Sequence, residues 1–226
     1  MCFSAVASIS AAVVTGAVGV LTLAKAANLR ELPLAAAPLI FSLQQALEGA
    51  LWLTVGQDSP AANSGLLVNM FVGIALIVWP ALVPAAAGLV EPRRIRQMIL
   101  YALLLPGLGM ATFGAIDMVD HPFSVQVAQQ TLCYVNSTPY PPVMMGGYIL
   151  CTCVPLFISS DPVLRLLGVI VGLGLAVAAG FYYMAFVSVW CFFGAAGSAV
   201  IYLYFYRRVA ATLSQLATRT ALEAEA

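Results

Sequence analysis

Charge is what this sequence has least of. Only 8% of its 226 residues are Asp, Glu, Lys or Arg, against roughly 25% in a soluble globular domain. So few charges cannot cover a water-facing surface, which excludes a sizeable soluble domain and leaves a surface that faces lipid. Lysine occurs once, as Lys25; with none in the last apolar stretch, a retinal Schiff base is excluded, and the sequence names no other cofactor. Histidine also occurs once, as His121, too few for the three-histidine zinc sites of membrane hydrolases. Net charge is zero and no basic cluster interleaves with aromatic residues, so nucleic acid is not a partner. No Walker, GxSxG or HExxH motif is present. A basic stretch ahead of the first apolar run is missing too, so Ser4–Ala24 reads as an uncleaved anchor rather than a signal peptide.

What the chain has instead is hydrophobic length. Apolar residues make up 62% and the mean hydropathy is +0.99. The runs place spanning helices at roughly 5–25, 33–55, 65–89, 97–116, 142–159, 163–183 and 187–206, each near the ~20 residues that cross a bilayer. The last two come from one uninterrupted stretch, Pro162–Tyr206. As a single helix it would reach about 68 Å, over twice the hydrocarbon thickness, so it divides near Met184. The fold class is therefore an all-α integral membrane bundle of about seven helices, over residues 1–208. A short tail, 209–226, keeps helical spacing through Val209, Leu213 and Leu216.

The basic residues orient this bundle. Lys25 and Arg30, then Arg93, Arg94 and Arg96, then Arg165, then Arg207, Arg208 and Arg219 all fall on one side, and they are all nine. The positive-inside rule makes that side cytoplasmic, with the N-terminus outside and the C-terminus inside. Small residues supply packing faces: Ser4, Ser8, Ala12 and Gly16 in span one, Gly168 and Gly172 in span six, Gly194 and Ser198 in span seven. Such faces serve packing within a bundle or a homo-oligomer. Pro80, Pro84 and Pro106 lie within spans and are expected to kink them.

Glu48 is the only acidic residue well inside a predicted span. A carboxyl in hydrocarbon costs several kcal/mol and normally faces the bundle interior with a partner. Gln44 lies one turn before it, Gln45 three residues before it and Trp52 one turn after, a polar stripe on one helix face. The stripe reads as a proton, cation or ligand site, or as a structural hydrogen-bond group. Of the five cysteines, Cys2, Cys133 and Cys191 are expected near the outer face and Cys151 and Cys153 mid-span. Cys151-Thr152-Cys153 diverges by about 200° on a helix and reads as packing; Cys2 and Cys133 share an oxidising side and are candidates for a disulfide. His121 stands in the longest outer loop, 117–141. A mixed metal site from Cys2, Glu48, His121 and Cys191 is the alternative to a solvated His121. Asn136-Ser137-Thr138 matches a glycosylation sequon on the outer side.

Three stretches carry a resemblance: Met1-Cys2-Phe3-Ser4-Ala5; Leu32-Pro33-Leu34 continuing to Gln44-Gln45-Ala46-Leu47-Glu48-Gly49 with Trp52; and Ser188-Val189-Trp190-Cys191-Phe192-Phe193. Together with the span layout they resemble a family of uncharacterised bacterial multi-pass membrane proteins that begin Met-Cys-Phe-Ser. The resemblance implies a bacterial inner membrane and singles out Cys2, Glu48, Trp190 and Cys191. The expected function is binding of a small molecule or ion, as a sensor or permeation protein, in the outer half of the bundle. Glu48 would be the charged group, Gln44 and Gln45 would orient it, Trp52 and Trp190 would wall it, and Cys191 and Cys2 would lie beside it. The rivals are a membrane-embedded enzyme using a thiolate or metal near Cys2, Glu48 and Cys191, and a structural subunit of a membrane complex.

Overall fold

A computed structural model describes residues 4–55, 62–128, 131–137, 142–182 and 185–224. Its helices follow the apolar runs: α1 Ala5–Leu23, α2 Leu32–Thr54, α3 Ala62–Gly73, a π-helical segment Ile74–Val78, α4 Trp79–Val90, α5 Arg94–Asp120, α6 Pro142–Thr152, α7 Val154–Ile158, α8 Pro162–Phe181, α9 Phe186–Ala196 and α10 Ser198–Ala224. Six of the resulting rods are long and apolar enough to cross a membrane, and Pro142–Ile158 is a shorter seventh. That seventh is about 25 Å long at 1.5 Å per residue, near the lower limit for a span.

Local chemistry explains where the rods start, bend and stop. Ser4 caps α1 by accepting the Ala7 N–H, and Asp161 caps α8 by accepting the Val163 N–H. Pro155 has no N–H for the Cys151 carbonyl, and the helix breaks at Cys153 into α6 and α7. The span expected over 142–159 is thus two short helices, and both thiols of the CxC pair are buried beside the break. Pro80 acts one turn earlier than a simple kink: the Trp79 N–H reaches back to Ile74, five residues away, which opens the π segment. Gly107 of α5 lies directly against this place, where a Cβ would meet the Pro80 carbonyl oxygen at 2.1 Å.

The small-residue faces are used within the chain. On α1, Ser8 and Ala12 are buried against α2, and the Ser42 hydroxyl donates to the Ala12 carbonyl at 2.7 Å. Gly168 meets Leu156 and Phe157 of α7, and Gly194 meets Phe41 of α2.

The loop expected over 117–141 is corrected twice. Asp117 to Asp120 still belong to α5, and residues beyond form a β-hairpin, β1 Ser124–Ala128 paired antiparallel with β2 Thr131–Val135. A lone hairpin is marginal in water; this one is held by burial of Leu132 and Cys133 on the bundle and by stacking of Tyr134 on Phe71 at 4.5 Å. The Asn136 amide also donates to Asp117 at 2.9 Å. At the opposite end, Arg208 pairs with the buried Glu31 at 2.7 Å, Ser160 bonds Glu91, and Arg96 donates to the carbonyls of Ile158 and Ser159. These contacts tie the loops that carry the basic residues into one layer. The tail continues the last helix: α10 runs from Ser198 to Ala224.

Candidate functional site

The polar stripe of α2 becomes a junction of helices. Glu48 is fully buried, and its two carboxyl oxygens are both taken: Oε1 accepts from the Ser188 hydroxyl of α9, and Oε2 from the Ser8 hydroxyl of α1 at 3.4 Å. Gln44, one turn away, uses both ends of its amide. Its nitrogen donates to the Phe71 carbonyl at 3.4 Å and to the Cys191 sulfur at 3.3 Å, while its oxygen accepts the Trp79 indole N–H at 3.0 Å. Gln45 is equally buried, with its amide in no hydrogen bond of ordinary length among the described residues. An unpaired polar group in hydrocarbon is expensive, so these bonds make α2 the hub that fixes α1, α3, α4 and α9.

Two cavities lie beside this hub. One, of about 220 Å³, sits under the hairpin between the π segment, α5, α6 and α9, against Phe123, Tyr134, Met110, Met144 and Val187. The other, of about 90 Å³, runs deeper among α2, α4, α8 and α9, from Trp79 and Gly194 toward Leu34, Ala87 and Leu164. Tyr148, Trp190 and Cys191 line both. Each is lined almost wholly by apolar side chains.

The residues at this shared wall are held from behind. The rings of Tyr148 and Trp190 meet edge-on at 5.4 Å, and the Trp190 indole N–H donates to the Val171 carbonyl at 3.0 Å. The Tyr148 hydroxyl donates to the Ala75 carbonyl at 2.7 Å. That carbonyl needs a donor from outside its helix: the Trp79 N–H has gone to Ile74, and Pro80, next in line, has no N–H.

Thus the structure brings Glu48, Gln44, Trp190 and Cys191 into one connected region. Glu48, Gln44, Gln45 and Trp52 line neither of these cavities; Trp52 packs instead beside the cluster of Leu47, Leu51 and Phe71. Cys2 lies outside the described residues, and Cys133, the partner suggested for it, is a buried free thiol. His121 bonds Asp117 at 3.0 Å at the end of α5, and among the described residues no three His, Cys, Asp or Glu side chains gather as metal ligands. The sequence reading missed Tyr148, Trp79, Ser8 and Ser188 as site-forming groups. Pro80 was the available signal for Tyr148, since a proline within a span leaves carbonyls that something must satisfy.

Two of the motif stretches sit on α2 and α9, and Ser4-Ala5, the described end of the first, opens α1; Glu48 joins these three helices. The model of one protein family matches residues 1–216, nearly the whole chain. The chain belongs to that family, described as "Family of unknown function (DUF6629)". No curated protein matches the chain, and no solved structure does. The multi-pass architecture is therefore a property of this family member read from its own helices.

Proposed function

We propose that this protein binds a small apolar or amphipathic molecule in the cavity beneath the hairpin, with Tyr148, Trp190 and Cys191 as its floor. The observation that carries the reading is the shared wall: three side chains of different chemistry, each fixed by a hydrogen bond to another helix, facing an apolar cavity of about 220 Å³. Apolar walls with a few positioned polar groups are the usual make-up of small-molecule sites. The ion reading has less support, because both Glu48 oxygens are occupied by serines and its side chain lines neither cavity. In this reading Glu48 and Gln44 hold the floor in place, and a ligand that shifts α9 is reported to the rest of the bundle. By the positive-inside rule the basic end faces the cytoplasm, which opens the hairpin-end cavity to the outer side of a bacterial inner membrane.

The test is quenching of tryptophan fluorescence by 3-bromopropanol in detergent. Saturable quenching is expected in the native protein and is lost in Trp190→Phe, which removes the reporter, and in Val187→Phe, which fills the cavity. Quenching that rises linearly and equally in all three proteins sinks the proposal. Glu48→Gln separates the original site from this one: loss of saturation there, with Val187→Phe unaffected, returns the ligand to Glu48.

A further inference from the structure

The deeper cavity has no role in holding a small compact ligand, and its shape is unusual. Along α4 it is lined from Trp79 to Ala87, a rise of about 12 Å. A volume of about 90 Å³ makes it a narrow slot with room for only a few methylene groups. Its polar side chains are already engaged. Thr152 donates to the Tyr148 carbonyl at 2.8 Å, Trp79 to Gln44, Trp190 to Val171 and Tyr148 to Ala75, and the Cys191 sulfur accepts from Gln44. The described residues thus offer few free polar groups along the slot, and a polar occupant would lose hydrogen bonds of its own on entering. The Tyr148, Trp190 and Cys191 that floor the wider cavity also line the slot, so the two cavities meet at one wall.

We infer that the ligand is a single-chain amphiphile: its head and first carbons occupy the cavity under the hairpin, and the end of its hydrocarbon chain reaches past Tyr148, Trp190 and Cys191 into the slot. This rests on the small-molecule reading above and adds the ligand's class. The slot then acts as a ruler. Chains that fit are accepted, and longer ones are rejected because a close-packed interior does not yield to extra methylenes.

The experiment extends the quenching titration to a series of ω-bromoalkanols from three to twelve carbons, with concentrations expressed as mole fraction in the micelle. Affinity is expected to hold along the series and then to fall about tenfold for each surplus methylene. Ala87→Leu and Val83→Phe, which fill the slot from two positions on α4, are expected to move that cut-off to shorter chains and leave the three-carbon affinity unchanged. A series without a cut-off, or a cut-off that stays in place in both folded variants, overturns the inference. Absence of saturable quenching by the three-carbon alcohol instead overturns the site itself. Repeating the titration in phosphatidylcholine nanodiscs identifies the source of the chain. Quenching by the free alcohols assigns a free amphiphile, quenching by tail-brominated phosphatidylcholine assigns a bilayer acyl chain, and quenching by neither refutes both.

Discussion

Replacing Tyr148 by Phe removes one oxygen and leaves the ring, its contact with Trp190 and both cavity walls in place. The loss falls on the Ala75 carbonyl, which accepts the hydroxyl at 2.7 Å and has no backbone donor. Stranding a buried acceptor costs about 1–3 kcal/mol, a five- to 150-fold change in the folding equilibrium. Pro80→Ala provides the control. If residue 80 keeps the π register its new N–H reaches Ala75; if the segment relaxes to α, the Trp79 N–H does. Either way Ala75 gains a donor, so Tyr148→Phe is expected to cost at least 1 kcal/mol less in the Pro80→Ala background. Reversible unfolding in mixed micelles, followed by tryptophan fluorescence, measures all four corners of the cycle. Equal costs of Tyr148→Phe in the two backgrounds would falsify the account of the π segment.

Two other outcomes follow from close contacts. Gly107→Ala drives a Cβ to 2.1 Å from the Pro80 carbonyl oxygen, whereas Gly109 has nothing within 4 Å; Gly107→Ala is expected to lower stability by about 3 kcal/mol or prevent folding, and Gly109→Ala to fold normally, as read by thermal unfolding. At the basic end, burial pushes the Glu91 carboxyl up, but the Ser160 hydroxyl and N–H and the Arg93 N–H outweigh it, leaving its pKa below the ordinary 4.5. The depressed carboxylate therefore contributes stability above the ordinary value and loses it as pH falls through the lower, folded value; Ser160→Ala is expected to flatten that acid loss, and an unchanged acid limb in the unfolding midpoint would count against it.

Much of the candidate site could be read from the chain. Glu48 with Gln44 stood out because a carboxyl and an amide one turn apart in an apolar run must find partners. Trp190 and Cys191 stood out through the motif stretch that carries them. Their partners did not, since Ser8 lies 40 residues from Glu48 and Ser188 lies 140 away, and a serine in a span carries no mark of what it bonds. Tyr148 carried no mark either, because a tyrosine inside span five does not show which carbonyl its hydroxyl will meet. The hairpin left a trace in the alternating Val125, Val127 and the β-branched Thr131 and Val135, but short strands in a loop are weak against seven strong helical signals.

By itself the sequence determined where the apolar rods lie and how the basic residues group, because both follow from local transfer energies that each residue contributes independently of the fold. Tertiary structure decided what those rods enclose. Whether Glu48 opens to a cavity or is sealed by two serines, and whether Pro80 bends a helix or opens a π turn beneath Tyr148, depends on which faces meet. In a lipid-facing bundle most faces are apolar, so hydropathy distinguishes them poorly and packing alone makes the choice.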